Sequence, residues 1–449
     1  MSVTTTTRAG AALGAFTAEL ATAELPAEVA EKLRCNLLHD LSCAMAAHAV
    51  GEPMWSVVRA SGDGPATVLC DGARVAAEQA ALANGSLFHA RAQDDTHFAA
   101  KTHVGSAVLP AAFALAEERG AGGAAFARAV VAGCEVAAAV GERLAASTTA
   151  RGFRASPVFG TLGAAAASAV LLGLDAEGAA HAIAIASSFS GGLNQTWIDG
   201  SSEYRIHLGM AARNGITAAR LAAGGLHGAP SWYEGAAGFA RAFAGDDADP
   251  GTDWELGTRW RLLDVTYKPY PVCAITQSAT HVAMQLATEH DLAPGDVTAV
   301  RCLLNPADRT YPGTVNPGPY GDVAATLMSA EYCVAMGLVQ RAATLEGLQA
   351  YHDPAILRLV AATEVLPDEG LPNLAGRVEL DLADGRSVSA ELVPDDATYG
   401  WDWDGVVANA RRMLPEMAVS EAGLEAQVEA VRGLLELPSV EPLVRATLP

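Results

Sequence analysis

The chain has 449 residues, more than one hydrophobic core ordinarily organises, so about two or three domains are expected. Hydrophobic residues make up 51% of it, yet alanine spread among charges and glycines leaves no uninterrupted apolar run of about 18 residues, and no membrane-spanning helix is expected. A formal charge of -22 without any lysine or arginine cluster excludes a surface that tracks nucleic acid, and confines small anions to local pockets whose cations overcome the acidic field. The seven cysteines are scattered, show no CxxC pair, and read as reduced thiols. The start, MSVTTTTRAG, lacks a basic stretch followed by a long apolar one, so a cytoplasmic location is expected.

In chain order, residues 23–50, AELPAEVAEKLRCNLLHDLSCAMAAHAV, repeat apolar side chains every three to four positions after a proline, the pattern of an amphipathic helix. ATVLCDGARVAAEQAALANGSLFHA predicts a short hairpin around Asp71-Gly72 and then a helix. Two small-residue helices follow, separated by glycines between 120 and 123, and TLGAAAASAVLLGLDAEGAAHAIAIASSFSGG repeats the theme. MAARNGITAARLAAGGLHG adds one more, completing an alanine-rich helical region to about residue 245.

After Asp264 the texture changes. DVTAVRCLL and GRVELDLADGRSVSAELV alternate as strands, the second as a hairpin around Ala383-Asp384-Gly385, while SATHVAMQLATEH and SAEYCVAMGLVQRAA read as helices. Finally, SEAGLEAQVEAVRGLLELPSVEPLV returns to helical periodicity. The expected class is mainly α with an α+β part: an all-helical domain from 1–264 and 401–449, and an α+β domain from 265–400.

Polar groups concentrate at four glycine- or proline-bounded places: 94–103, RGFRAS, EYRIHLGMAAR and YKPYPVCAITQ. The densest is HARAQDDTHFAAKTH, with three histidines, two aspartates, an arginine and a lysine in residues 89–103. No GxGxxG follows a strand, no GxxxxGK[ST] occurs, and neither HExxH nor GxSxG is present, so neither a cofactor nor a metal is expected. Histidine, tyrosine, arginine and lysine suit acid–base work on an anionic carboxylate. Plainer roles compete: Asp94-Asp95-Thr96 as a helix N-cap, His89 and His181 as core histidines, Arg213-Asn214 as a helix end, Cys273 as a core thiol.

Taken together, ALANGSLFHA, DDT, THVGSAVLPAAFALAEE, GTLGAAAASAVLLGLD, HLGMAARNGITAARLAAGGLHGAPSWYEGAAGF, YKPYPVC and SAEYCVA resemble the MmgE/PrpD family over about 20–410. That family includes 2-methylcitrate dehydratase, cis-aconitate decarboxylase and iminodisuccinate epimerase. The resemblance implies a large helical domain, a smaller α+β lid inserted into it, a homodimer, no cofactor, and an active site in the cleft between domains. By resemblance Thr96, His103 and Tyr332 face the substrate. Four positions depart from decarboxylase-like members: Ala92 stands where an aspartate is frequent, Arg154 replaces a histidine, Tyr204 a lysine, and Cys273 a histidine. Arginine for histidine exchanges a proton carrier for a permanent, forked cation.

The expectation is a lyase, foremost a dehydratase that removes a proton next to a carboxylate, with an epimerase second, a decarboxylase third, and a binding member without chemistry as the contrasting class. His103 is the expected base or acid, with Tyr204 or Tyr332 as its partner. Arg154, Arg205 and Lys268 form the anion clamp, and Thr96 and Asp95 orient substrate and imidazole. His97, Lys101, His207, Cys273 and Gln277 complete the candidate substrate-binding set.

Overall fold

The computed structural model describes residues 9–246, 251 and 253–449. It is mainly helical with one small mixed sheet. A first hydrophobic cluster draws on residues from Ala9 to Tyr267 and resumes from Val406 to Val444. A second runs from Val272 to Leu382 and takes in Ala92, Trp197 and Tyr204 from the helical part.

Around the first cluster the helices Gly123–Ala150, Ala155–Leu172 and Tyr204–Ala223 pack as neighbours, and Val104–Arg119 and Ala77–Phe88 lie against them. The C-terminal Trp403–Met413 and Glu421–Arg432 helices pack back onto Ala27–Met45. Two helices, Gly123–Ala150 and Ala155–Leu172, are long and apolar enough to cross a membrane although neither is an unbroken apolar run; 83% and 94% of their most apolar stretches are buried inside this chain. The hairpin at Asp71-Gly72 forms, with Ala66 opposite Val75 and Gly72 at φ +86°.

Small side chains let helix axes approach. Ala77–Phe88 crosses Tyr204–Ala223 glycine on glycine: a Cβ on Gly85 would lie 2.7 Å from the Gly209 Cα, and one on Gly209 would lie 2.1 Å from the Leu82 carbonyl oxygen. This crossing matters for the site, because the first helix ends next to His89 and the second begins at Tyr204. Contrary to the helix-end reading, Arg213-Asn214 lie inside Tyr204–Ala223, and Gly215 is a contact point where a Cβ would meet that of Ala164 at 2.4 Å.

The sheet has the order Thr363–Pro367, Val297–Leu304, Gly376–Leu382, Ser387–Leu392. The first pair is parallel and the others antiparallel, with Gly385 at φ +88° in the expected hairpin. TEVLP, a five-residue strand without clear alternation, carries no sequence signal that separates it from the end of the preceding helix. Gln277–Glu289 covers the two antiparallel strands and Ala330–Gln340 packs on it. Ser329 caps the latter by accepting from the Tyr332 amide at 3.0 Å.

Replacing Gly209 by valine forces the crossing apart. A loss of roughly 3 kcal/mol in urea-unfolding free energy is expected, in the range of core overpacking; a change below about 0.5 kcal/mol would show that the two helices do not depend on contact at this point.

Candidate active site

A cavity of about 270 Å³ opens between the two clusters. Its helical wall includes His89, Thr96, Lys101, His103, Arg154 and Trp197, its opposite wall Cys273, Ile275, Asp308, Tyr311 and Met328, and Lys268 comes from the link between them.

The DDT segment sets the inner wall. Thr96 exchanges two 2.9 Å backbone hydrogen bonds with Thr266, so the chain is extended there and alternate residues face opposite ways. Asp94 faces the histidines: its Oδ2 lies 2.8 Å from His89 Nδ1 and 3.6 Å from His103 Nδ1, and its Oδ1 is 3.8 Å from Lys268 Nζ. Asp95 faces away, accepting from the Gly105 amide at 2.9 Å and the Ser106 amide at 3.4 Å. Its carboxylate therefore caps the Val104–Arg119 helix, which starts nine residues later, and does not touch the cavity. The N-cap reading holds for Asp95 alone, and for the helix after the next loop, not one that starts at the DDT segment itself.

The His103 ring is hung from the Asp95 backbone carbonyl, 2.6 Å from Nδ1, with the Thr96 hydroxyl at 3.4 Å. Since a carbonyl only accepts, Nδ1 carries the proton and Nε2 is the lone-pair nitrogen, with no protein partner among the described residues. Burial pushes this imidazole well below its usual pKa despite Asp94, so it is neutral at pH 7 and ready to accept a proton.

Arg154 is buried, its guanidinium 4.7 Å from the Trp197 ring centre. It donates to the Tyr204 carbonyl at 2.9 Å, to His207 Nδ1 at 3.3 Å, and to His89 Nε2. That last contact leaves the His89 proton on Nδ1, pointing at Asp94. Burial and then Arg154, against Asp94, bring His89 down to about 4, and burial with Arg154 brings His207 to about 3. Burial would raise the Asp94 carboxyl, but His103, His89 and Lys268 outweigh it and hold the group well below the usual carboxylate range. Lys268 Nζ makes no hydrogen bond to the described residues, leaving its donors to whatever enters.

Six expected residues meet at the cavity: Thr96, Lys101, His103, Arg154, Lys268 and Cys273. The others lie elsewhere. Tyr332 is fully buried in the second cluster and donates its hydroxyl to Gly347 O at 2.9 Å, so it is no partner for His103. Tyr204 is likewise buried, its hydroxyl donating to Ala90 O at 2.6 Å, and serves to hold the 89–92 turn. Arg205 turns toward Asp322, 3.9 Å away, along a separate groove. His97 pairs with Glu142 at 3.7 Å beyond the cavity, and His207 stands behind Arg154. Gln277 bonds the Tyr270 amide and the Tyr270 and Val272 carbonyls, bracing the turn that presents Lys268 and Cys273.

Asp94, His89 and Tyr311 belong to the site without having been expected there. Asp94 was legible from alternation, because in an extended segment it shares a side with Thr96 and not with Asp95. Nothing local separates His89 from a core histidine. Tyr311 lies in a proline- and glycine-bounded stretch of the second cluster, and only folding brings it to the cavity that His103 also lines. Burial and Cys273, against Arg154, push its phenol up to about 12.

Two clusters resemble metal donor sets. His89, Asp94 and His103 present ligand atoms within 4.8 Å of one another, as do His97, Glu142 and Asp264. In the first, Arg154 occupies the His89 lone pair and two imidazole N–H groups and an ammonium face Asp94. In the second, His97 Nδ1 accepts from the Ala100 amide, so its other nitrogen holds the proton, and Arg259 and Arg261 already bind Glu142. Neither fits a cation. A larger cavity of about 530 Å³ lies behind the 269–271 turn, but its arginines are engaged: Arg91 with Glu416, Arg341 with Asp291, and Arg412 with the Pro269 carbonyl and Asn409.

His89 and His39 are both held neutral, near 4, mainly by burial, whereas in an unfolded chain each titrates near 6.5. Between these values the folded state binds fewer protons, so stability present at pH 7 is lost as pH falls through 6.5 toward 4. His89→Gln should remove about one proton from that slope; urea unfolding at pH 7 and pH 5 measures it, and an unchanged difference between the two would show that His89 is not buried neutral.

Residues 11–250 match the MmgE/PrpD N-terminal domain and residues 270–397 the C-terminal domain. The chain is 32% identical over 292 residues to the cis-aconitate decarboxylase-like protein oryM of Aspergillus oryzae, a match covering 60% of each. It is 25% identical over 463 residues to a cis-aconitate decarboxylase of Aspergillus terreus, 96% of this chain and 94% of that one. Against the human cis-aconitate decarboxylase it is 32% identical over 230 residues, 48% and 47% of the two chains. With both domains matched in order on either side of the cavity, and with relatives named for a lyase reaction, the chain belongs to the MmgE/PrpD family.

Proposed function

We propose that this protein is a lyase for a small polycarboxylate, foremost a dehydratase, in which His103 takes the proton from the carbon beside a carboxylate. The observation that carries this reading is the His103 ring: Nδ1–H tied to the Asp95 carbonyl, Nε2 open to the cavity, and cations on two sides. Being neutral at pH 7, this imidazole enters the reaction as a base and not as an acid, and the Asp94 carboxylate beside it favours the imidazolium that forms.

In this reading one substrate carboxylate meets the Lys268 ammonium. A second meets Arg154, whose Nε–H and one Nη2–H have no protein partner among the described residues. The charge that develops as His103 takes the proton is stabilised by these two buried cations. Tyr311 donates to the departing hydroxyl. At about 12 its phenol stays protonated at any working pH, yet it is a far stronger acid than bulk water at about 15.7. The elimination then balances: the proton goes to His103, the hydroxyl leaves as water with the phenol proton, and an alkene remains.

Decarboxylation is the second reading, favoured by the names of the relatives. There carbon dioxide leaves and the carbon is protonated, a step for which Lys268 or Tyr311, not His103, is the donor.

Proton NMR in deuterated water with citrate, 2-methylcitrate and cis-aconitate separates the two. Deuterium entry next to a carboxylate with new alkene signals is expected from a hydroxy acid, with poor turnover of 2-methylcitrate because Arg154 and Cys273 alter the clamp. His103→Gln should lower exchange by about 10²–10⁴-fold, and Tyr311→Phe should slow elimination more than exchange. Loss of carbon dioxide from cis-aconitate without exchange into any hydroxy acid would replace the leading reading with the second. Exchange surviving His103→Gln would remove His103 as the base.

A further inference from the structure

We propose that Asp40, which does not reach the cavity, is a positioning residue for His103: it shares one proton with Asp95, and this shared proton fixes the backbone carbonyl from which the His103 ring hangs. The role of His103 as a base is that of the preceding section, whereas the carboxyl pair does not depend on it.

Asp40 lies on the Ala27–Met45 helix, and both it and Asp95 are fully buried. The Asp95 amide donates to Asp40 Oδ1 at 2.9 Å, which sets the Asp40 carboxyl beside that of Asp95. They converge over Gly105. A Cβ there would lie 2.0 Å from Asp40 Oδ2 and 3.1 Å from Asp95 Oδ1, so no other residue fits at this point of the THVGSAV segment.

Two carboxylates in contact and out of water cannot both ionise. The donors decide which keeps the proton. Both Asp95 oxygens face amides, those of Gly105 and Ser106, as a carboxylate requires. On Asp40, Oδ1 takes the Asp95 amide, while Oδ2 has only the distant Asn36 amide at 3.4 Å. Asp40 Oδ2 therefore carries the hydrogen and donates it to Asp95.

The groups that face the pair from neighbouring elements are Asp94, Lys268, Lys32, Tyr267, Cys43 and Cys134. Burial keeps the phenol and both thiols neutral, and Lys268 is drawn to Asp94. Lys32, brought down to about 8 by burial, is the remaining cation, and one cation does not balance two carboxylates beside a third, Asp94. Burial and the neighbouring carboxylates push Asp40 well up and Asp95 to about 7, the same direction as the geometry.

With Asp95 clamped on both sides, by Asp40 and by the helix amides, its carbonyl has one orientation. That orientation fixes the His103 tautomer and keeps Nε2 toward the cavity. Asparagine at position 40 reproduces the protonated acid: its oxygen accepts the Asp95 amide and its NH₂ donates to the Asp95 carboxylate.

The test uses the full chain with carbon-13-labelled aspartate, infrared difference spectra for Asp40→Asn against wild type at pH 7, and nitrogen-15 NMR of the histidine rings in Asp40→Ala. The expected results are loss of an isotope-shifted carboxylic-acid band in Asp40→Asn, and movement of the His103 ring signals toward a mixed tautomer in Asp40→Ala. Deuterium exchange into citrate should fall by about 10² in kcat with KM nearly kept in Asp40→Ala, and stay within about threefold of wild type in Asp40→Asn. An acid band that survives Asp40→Asn, or His103 signals unmoved by Asp40→Ala, would overturn the proposal. Loss of the band in a protein that exchanges no substrate, wild type included, would sustain the carboxyl pair and remove the lyase reading instead.

Discussion

A buried carboxylate needs donors and cations around it, and the inner wall of the cavity is built around the groups that face Asp94. His89 comes from the turn after Ala77–Phe88, His103 from the start of Val104–Arg119, and Lys268 from the strand-like link to the second cluster. The His89 proton on Nδ1 serves Asp94 directly, while the His103 proton on Nδ1 goes to the Asp95 carbonyl beside it, so the same wall holds the buried charge and prepares the base.

Arg154 extends this logic outward. By donating to His89 it makes the His89 proton point at Asp94, and through Tyr204 and His207 it ties the Tyr204–Ala223 helix to the same network. A histidine in its place would supply a proton that exchanges near neutrality; arginine supplies fixed charge and direction. The consequence is a strongly acidic protein with a cationic cavity, in which Lys101, Arg154 and Lys268 outnumber Asp94 and Asp308 among the lining and supporting groups.

The second cluster contributes less charge and more shape. Gln277 braces the 270–272 turn, Ile275 and Met328 make part of the wall apolar, and Tyr311 brings one weak acid to the cavity that His103 lines. A base on one wall and an acid on the other allow the two halves of an elimination to be divided between the clusters.

Much of this was written locally. The helices follow from apolar spacing, the hairpins at Asp71-Gly72 and Ala383-Asp384-Gly385 from turn residues, and the concentration of polar groups in 89–103 marks the site without a partner in view. Where the sequence misleads, the reason is distance: Tyr204 and Tyr332 look like acids, but each hydroxyl finds a buried carbonyl that no local pattern could announce. Asp40 is indistinguishable in sequence from any polar residue on an amphipathic helix, and acquires its meaning only where Gly105 lets it touch Asp95. Periodicity and turn chemistry act within a few residues, so the sequence by itself determined the elements and which segments carry reactive groups. Tertiary structure alone decided which of those groups share a proton or face the cavity, because hydrogen bonds and desolvation depend on neighbours brought together from 55 or even 170 positions apart.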